Sequence, residues 1–289
     1  MMETLLTTYQ DAEKKKVAVG HFNVSDLSAL MGVVAAARDL RVPVVIGCSE
    51  GERAFLGDKQ IYALVASFRD ENGIPLHLNA DHTHTLEAAI AAAKAGFDSI
   101  VFDLSALPIE ENIRKTKQAV EVLKGINPSI LVEGEIGDIG TGSHIHEIAP
   151  DLIDGLTTPE QAKQFVEATG VDILAPAVGN MHGMSLSMIQ GRTKKHLEIE
   201  RIAEIKRATG ALITLHGGSG TDDNDFVKAI DAGVNIIHIN TELRAVWRRS
   251  LDEALLDQPR EVIPYKILPV VVDATRRLAR SRLKLFNRL

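Results

Sequence analysis

The chain has 289 residues, of which 45% are hydrophobic and only 4% are aromatic. A core made from Ala, Val, Ile and Leu is typical of a parallel sheet that helices bury on both faces. The formal net charge is −7, with acidic and basic residues interspersed, which argues against a nucleic-acid-binding or membrane-binding surface.

The N-terminal segment is polar and predicts a helix over about 2–15. It lacks the apolar stretch of a signal peptide, and no segment of the sequence is long enough to cross a bilayer. The single cysteine, Cys48, excludes an intramolecular disulfide and fits a reducing cytoplasm. Because Cys48 lies in an apolar run, we interpret it as a buried hydrophobe rather than a nucleophile.

Eight short apolar runs rich in β-branched residues recur along the chain, and each precedes a polar turn and a helical pattern. Several helical stretches end in Gly, as helices do when the next residue must be left-handed. Strands are predicted at 17–23, 43–49, 75–81, 99–105, 129–136, 172–178, 212–218 and 236–241. Helices are predicted between them, for example at 86–96, 109–124, 159–170 and 221–233, with a helical extension over about 242–289.

Eight β-then-α units at this spacing predict an all-parallel sheet of the α/β class. Closure into a single (β/α)8 barrel, a TIM barrel that spans 1–289, is the economical arrangement. The alternative is an open doubly wound sheet, but no G-x-G-x-x-G motif follows the first predicted strand, so a dinucleotide site is unsupported. The longest irregular segments, 137–158 and 183–197, follow strands, where long barrel loops usually carry function.

Polar residues cluster at the carboxyl ends of the predicted strands, which form the rim where barrel active sites lie. His82, His182 and His216 follow the third, sixth and seventh strands, and Glu135 lies in the fifth. Zinc takes imidazole nitrogen and carboxylate oxygen, and a catalytic site leaves one position open. One interpretation is therefore a metal site with these four residues as ligands. The other is a set of hydrogen-bonded structural histidines.

The segment HGGSG at 216–220 has the features of a phosphate site. Glycines let backbone amides approach an anion, and the helix start predicted at Thr221 and Asp222 adds its dipole. Ser219 and Thr241 offer hydroxyl donors, and the loops after strands seven and eight are the usual phosphate position in such barrels. The alternative is an ordinary Gly-rich turn.

With these residues in place, the chain resembles the class II (zinc-dependent) ketose-bisphosphate aldolases of the fructose- and tagatose-bisphosphate type. The resemblance extends over nearly the whole chain, and its motifs fall in order and in register. They are FNV at 22–24, SEG at 49–51, ADH at 80–82, LPIEENI at 107–113, VEGEIG at 132–137, TGVDILAPAVG with HG at 169–183, LHGGSG at 215–220 and INTEL at 239–243.

The resemblance implies a single metal-dependent lyase domain that reversibly cleaves a phosphorylated ketose, such as fructose 1,6-bisphosphate or tagatose 1,6-bisphosphate. The products would be dihydroxyacetone phosphate and an aldehyde such as glyceraldehyde 3-phosphate. A Lewis-acid metal would stabilise the enediolate, so no Schiff-base lysine is required. The resemblance also implies a cytoplasmic homodimer or homotetramer.

Each matching residue acquires an implied role. His82, His182 and His216 match the Zn2+ ligands, Glu135 matches an alternate ligand, and Asp81 matches the catalytic acid/base. The substrate- and phosphate-binding matches, with a monovalent cation (Na+ or K+) beside the phosphate, are Asn23, Ser49, Gly183, Gly217, Ser219, Asn240 and Thr241.

The sequence departs from the family in three places. The loop GTGSHIHE at 140–147 lacks the acidic stretch whose glutamate exchanges the enediolate proton. We predict that His144, His146 or Glu147 replaces this base, with His144 favoured. The alternative is a solvent-facing loop.

The other two departures lie near the substrate. His238 and Ile237 stand where the family usually has Asn and Lys, and Met184-Ser185 where it usually has Tyr or Lys nearby. These changes leave several possibilities open. The chain acts on the same substrates, it acts on a different ketose phosphate or catalyses a related lyase reaction on one, or it is a barrel subunit without catalysis.

Overall fold

The computed structural model describes residues 3–137, 139–140, 144–147 and 155–289. The strands in these residues are β1 (Val19–Asn23), β2 (Val44–Ser49), β3 (Leu76–Thr83), β4 (Ser99–Phe102), β5 (Leu131–Ile136), β6 (Ile145–His146), β7 (Ile173–Pro176), β8 (Met184–Ser185), β9 (Leu212–Leu215) and β10 (Val234–Ile239). The helices are α1 (Leu5–Lys15), α2 (Leu27–Leu40), α3 (Glu50–Leu56), α4 (Asp58–Asn72), α5 (Leu86–Ala95), α6 (Ile109–Ile126), α7 (Pro159–Thr169), α8 (Leu186–Ile189), α9 (Ile199–Thr209), α10 (Asp223–Ala232), α11 (Thr241–Asp257) and α12 (Pro264–Phe286).

Eight of the strands form a closed barrel in the order β1-β10-β9-β7-β5-β4-β3-β2, and neighbouring strands are parallel throughout. The predicted (β/α)8 fold is therefore confirmed, and each of the eight predicted strands is present. The sequence did not predict the short parallel pair of β6 and β8. This pair joins the loop after β5 to the loop after β7 on the rim.

Glycines end several helices as predicted. Gly96, Gly170 and Gly233 follow α5, α7 and α10 with φ of +105°, +73° and +116°. Backbone in this left-handed region lets the chain leave the helix, and it favours glycine because it has no Cβ. The turns into β4, β7 and β10 thus have a local cause.

Alternate residues of the barrel strands form layers inside the barrel, because strand side chains alternate in direction. The lowest layer is apolar and packs against Leu5, Tyr9 and Ala12 of α1, which closes the amino-terminal end. Two residues further along, four of these six strands carry polar residues, and two further again the strands reach the rim. The layer against α1 comprises Val19, Val45, Leu131, Ile173, Leu212 and Ile236.

The outer core lies between the barrel and its helices, and Cys48 belongs to it. This cysteine is fully buried and its thiol lies 3.7 Å from the Val24 carbonyl oxygen. Burial raises the pKa of the Cys48 thiol, so the interpretation as a buried hydrophobe holds. No helix in the described ranges combines the length and the apolar character needed to span a membrane.

Candidate active site

Three imidazole rings meet at the carboxyl ends of β3, β7 and β9. The ring centroid of His82 lies 4.7 Å from those of both His182 and His216. Ring nitrogens of the three residues lie within 4.8 Å of one another. His82 has a φ of +41°, a backbone conformation that costs energy in a non-glycine residue and is often found at functional sites. The structure therefore brings the three predicted zinc ligands together.

One nitrogen of each ring is held by a fixed partner, which leaves the other nitrogen facing the centre of the cluster. Such partners fix the tautomer and the ring orientation of metal-binding histidines. His216 Nδ1 lies 3.0 Å from His82 Nε2, close to the roughly 3.3 Å between two imidazole nitrogens on one tetrahedral zinc ion. The outer contacts are His82 Nδ1 to Asp103 Oδ2 at 2.8 Å, His182 Nδ1 to the Gly140 carbonyl at 2.8 Å and His216 Nε2 to Glu133 Oε1 at 2.6 Å.

Buried carboxylates supply negative charge at the cluster. Glu135 Oε2 has no hydrogen-bond partner among the described residues, and it lies 3.6 Å from His216 Nδ1. Burial and Asp103 raise the pKa of Glu135 to about 7. Burial lowers the pKa of His82, but Asp81, Asp103 and Glu135 outweigh burial and raise it to about 10. An electric field that favours positive charge here also favours a divalent ion, so these residues fit a metal.

Asp81 lies beside this cluster and is almost fully buried. Asn23 Nδ2 donates a 2.9 Å hydrogen bond to Asp81 Oδ2, and Oδ1 lies 3.8 Å from His82 Nε2 and 3.4 Å from His238 Nδ1. Burial raises the pKa of Asp81, but His82 and His238 outweigh burial and hold it well below its usual range. Asp81 is therefore an ionised carboxylate that faces the cleft and can accept a proton.

His238, one of the departures from the family, belongs to a stack of imidazole rings. Its ring lies parallel to that of His21 at 3.5 Å and close to that of His216 at 4.1 Å. Gly47 makes room for this stack, since a Cβ there would overlap the His21 ring. Burial and the two neighbouring histidines lower the pKa of His238 well below its ordinary value. The structure thus places a neutral imidazole next to Asp81.

The predicted phosphate residues line one end of a cleft of about 280 Å³ that also contains the histidine cluster. Ser219 Oγ accepts hydrogen bonds from the amides of Asn240 and Glu242 at 3.3 and 3.2 Å. The Ser219 hydroxyl hydrogen is then left to donate to an anion. The residues from the predicted set that line this end are Gly183, Gly217, Ser219, Asn240 and Thr241.

The helix dipole at this end comes from a different helix than the sequence indicated. Asn240 is the N-cap of α11 and Thr241 its first residue, and both line the cleft. Thr221 and Asp222 precede α10 instead, and they are not among the lining residues. The Asp222 side chain caps α10 itself by accepting from the Asn224 amide. An anion in the cleft would therefore meet the N-terminus of α11.

A wider opening beside the cluster contains Ser49 and His144 among its lining residues. The Ser49 hydroxyl donates a 3.0 Å hydrogen bond to Glu52 Oε2. His144 is exposed and comes from the predicted proton-transfer loop, whose residues 141–143 lie outside the described residues. Glu147 is exposed and lines neither this opening nor the cleft. His144 thus borders the opening beside the histidine cluster, whereas Glu147 does not.

Sequence reasoning missed two buried residues of the site. His21 lies between Val19 and Asn23, and the alternation along β1 would have placed it inside the barrel. Lys195 is buried beneath the phosphate residues and donates to four backbone carbonyls. The adjacent pair Lys194-Lys195 looks like a solvated surface, so the sequence carried no signal for Lys195.

Known proteins are similar to this chain over nearly its whole length. The family model "Fructose-bisphosphate aldolase class-II" matches residues 3–288. The fructose-bisphosphate aldolase of Geobacillus stearothermophilus is 32% identical over 280 residues, which cover 96% of this chain and 94% of that protein. The enzyme of the same name from Thermus caldophilus is 29% identical over 309 residues, covering 99% and 98%.

A solved structure agrees with these relatives. The crystal structure of the YdjI aldolase from Escherichia coli K12 is 30% identical with a TM-score of 0.80, and the match covers 99% of this chain and 97% of that one. A family match of this extent, together with the histidine cluster on the barrel rim, establishes the family. The chain belongs to the class II fructose-bisphosphate aldolases.

Proposed function

We propose that this metal-dependent aldolase, a carbon–carbon lyase, reversibly cleaves a ketose bisphosphate of the fructose or tagatose type. The products are dihydroxyacetone phosphate and an aldehyde such as glyceraldehyde 3-phosphate. The observation that carries the proposal is one cleft that contains three imidazoles, the Asp81 carboxylate and an anion site. The name of the relatives, fructose-bisphosphate aldolase, supports the substrate class.

The chain offers His82, His182 and His216 as ligands for a divalent ion, with Glu135 as an alternate ligand. Such an ion supplies a Lewis acid for the ketose carbonyl and for the negative charge that develops as the C3–C4 bond breaks. We propose Zn2+, because a cluster of imidazole nitrogens with one carboxylate is a zinc-type donor set. Glu133 and Asp103 orient the imidazoles from outside.

Asp81 handles the oxygen at C4. In the cleavage direction, its carboxylate accepts the C4 hydroxyl proton while the C3–C4 bond breaks and the aldehyde forms. In the synthesis direction, the same group returns that proton. The hydrogen bond from Asn23 holds one carboxylate oxygen, and the low pKa of Asp81 keeps the group ready to accept.

The phosphate end of the substrate lies at the N-terminus of α11. Ser219 and Thr241 donate from their hydroxyls, and Gly183 and Gly217 leave space for close approach of the anion. Asn23, Ser49 and Asn240 provide polar contacts to the sugar hydroxyls. The fixed distance between this anion site and the histidine cluster then sets which carbons of the sugar face Asp81.

The carbon that becomes C3 of dihydroxyacetone phosphate must gain a proton before release. His144, which lines the opening beside the cluster, is our first candidate for the donor, and Glu147 or His146 is the alternative. Alanine variants of the three residues should be assayed for exchange of that proton with solvent deuterium. Wild-type exchange in all three variants would show that this loop is not the base.

The decisive experiment is a screen of ketose mono- and bisphosphates with zinc-loaded protein, coupled to detection of dihydroxyacetone phosphate. Cleavage of a ketose bisphosphate supports the proposal, and cleavage of another ketose phosphate alone identifies a divergent aldolase. About one zinc per chain without any turnover would favour a barrel subunit that has lost catalysis. The Asp81→Ala variant, purified in the same way, controls for contaminating aldolase.

Assembly and location are further parts of the proposal. Exposed apolar side chains at the end of α11, in the loop that follows and at the start of α12 support association into a homodimer or homotetramer; they include Leu256, Val262 and Tyr265. Mass measurement in solution tests this assembly. A cytoplasmic location is proposed from the free, buried Cys48. The family resemblance further implies a monovalent cation, Na+ or K+, beside the phosphate.

A further inference from the structure

Lys195 is a buried lysine in the long segment between α8 and α9. Its backbone amide donates to the Gly220 carbonyl at 2.9 Å, and its carbonyl accepts from the Asp222 amide at 3.1 Å. These bonds fix the backbone of Lys195 against the loop that follows β9. The side chain is 4% exposed, whereas the neighbouring Lys194 is exposed to solvent.

The Lys195 ammonium group lies in a cage of four backbone carbonyl oxygens. Its Nζ is 2.7 Å from the oxygen of Met181, 2.6 Å from that of Gly183, 3.1 Å from that of Gly217 and 2.7 Å from that of Ser219. Two oxygens come from the loop after β7 and two from the loop after β9. Lys195 therefore ties together the two loops that carry the phosphate residues.

The backbone of these loops is shaped for this arrangement. Gly183 and Gly217 have φ of +75° and +58°, a region that favours glycine. A Cβ at Gly217 would overlap the Met181 carbonyl oxygen. The left-handed glycines allow carbonyl oxygens from both loops to point at one centre.

The cage favours a cation over a neutral amine. An ammonium group has three N–H donors and no lone pair, so every near neighbour can be an acceptor. A neutral amine would direct its lone pair at a carbonyl oxygen. Burial opposes the charge and lowers the pKa of Lys195 to about 7, whereas Glu242 raises the pKa and the four carbonyl oxygens stabilise the ammonium form. Glu242 is itself paired with Arg282, whose Nε lies 2.8 Å from Glu242 Oε2. The Lys195 charge is therefore largely available to attract another anion.

Backbone carbonyl oxygens that converge on one point are also the ligands of alkali cations, because they replace the hydration shell of the ion. Three of the four residues that form this cage also line the anion end of the cleft, namely Gly183, Gly217 and Ser219. A positive charge in the cage would therefore attract a phosphate group bound at this end of the cleft.

We propose that the Lys195 ammonium group permanently takes the place of the Na+ or K+ expected beside the phosphate, so that this enzyme binds substrate without a monovalent cation. The proposal rests on the phosphate site proposed above. Lys195 is a positioning residue, since it acts through the carbonyl groups of two loops. It replaces the exchangeable cation that the family resemblance implied.

The ion dependence of the wild-type enzyme is the first test. KM and kcat of the zinc-loaded protein should be measured in tetramethylammonium chloride and in NaCl or KCl at equal ionic strength. We expect KM to change less than about two-fold, because the cage is already filled. A wild-type enzyme that needs Na+ or K+ for activity would overturn the proposal.

The second test empties the cage. Lys195→Ala should raise KM for the phosphorylated substrate about 10- to 100-fold, the effect of losing charge-assisted hydrogen bonds, with a smaller change in kcat. K+, Na+ or methylammonium should restore much of the loss, which a merely structural lysine would not show. Lys194→Ala is the matched control and should behave as wild type. A Lys195→Ala enzyme that no cation improves contradicts the proposal.

A third measurement does not depend on activity. Crystals of both proteins soaked in Tl+, a heavy substitute for K+, should show anomalous density in the cage of Lys195→Ala and none in that of the wild type. Thallium in the wild-type cage, or an empty cage in the variant, would refute the assignment. If Lys195→Ala does not fold, the wild-type ion dependence and thallium map decide alone. If no ketose phosphate is cleaved, the proposed reaction fails while the thallium maps still test Lys195.

Discussion

Glu133→Gln is the most direct test of how the barrel prepares its metal site. Glu133 Oε1 accepts from His216 Nε2 at 2.6 Å, and Oε2 accepts from the Thr214 hydroxyl at 3.0 Å. Both His216 and Glu133 are at most 2% exposed. A carboxylate can only accept, so the His216 proton must lie on Nε2, and Nδ1 presents its lone pair to the cluster.

Glutamine keeps the volume of Glu133, but its side chain can donate as well as accept, so it no longer holds the His216 proton on Nε2. Its amide can rotate and donate to Nε2, which moves the proton of His216 to Nδ1 and blocks that nitrogen as a ligand. Loss of such an orienting partner typically costs 10- to 100-fold in metal affinity, or about 1.4–2.8 kcal/mol. Zinc affinity should therefore fall by about that factor, while kcat at saturating zinc falls less.

The assay is zinc titration against a competing chelator, followed by kinetics at saturating zinc. Thr214→Val is the matched control, because it removes the other hydrogen bond to Glu133 and leaves a carboxylate facing His216. It should keep zinc affinity within a few-fold of wild type, on the order of one neutral hydrogen bond. Wild-type zinc affinity in Glu133→Gln would refute the tautomer argument.

Three further predictions concern the same cleft. Removal of metal with EDTA should abolish activity, and zinc or cobalt should restore it; full activity of the metal-free protein would exclude a metal mechanism. Asp81→Ala should lose about 10²–10⁴-fold in kcat and still bind zinc, as expected for general acid–base catalysis. A mutant that mainly loses zinc affinity would instead make Asp81 an orienting partner of His82. Ser219→Ala should raise KM for the phosphorylated substrate by about 10-fold, the value of one charge-assisted hydrogen bond, and an unchanged KM would place the phosphate elsewhere.

The sequence was sufficient to predict the barrel fold and the position of the candidate active site on its rim. Short apolar runs rich in β-branched residues, each followed by a helical pattern, identified the eight barrel strands because both signals are local. Parallel strands end on one rim, so residues as distant in sequence as His82 and His216 could be expected to meet. In the structure the facing nitrogens of these two rings, His82 Nε2 and His216 Nδ1, lie 3.0 Å apart.

Long-range contacts between segments of irregular backbone could not be predicted from the sequence. The β6–β8 pair has only two residues in each strand, too few for a periodic signal. Lys195 has no apolar pattern around it, and its partners are carbonyl oxygens, which every residue possesses. The sequence attributed the helix dipole at the anion site to α10, whereas the structure places the N-terminus of α11 there. The turn after β9 contains Asp222, the N-cap of α10, and this residue made the start of α10 look like the anion site.

The departure at His238 shows where specificity should be sought. A histidine at this position requires space inside the barrel, and Gly47 provides it by allowing His21 to stack beneath. The stack ends next to Asp81, with His238 Nδ1 at 3.4 Å from its carboxylate. The three imidazoles proposed as metal ligands and the residues proposed to bind phosphate match the family resemblance. We therefore expect differences in the ketose that this enzyme accepts at the carbon whose oxygen meets Asp81, since His238, one of the three departures from the family, lies beside that carboxylate.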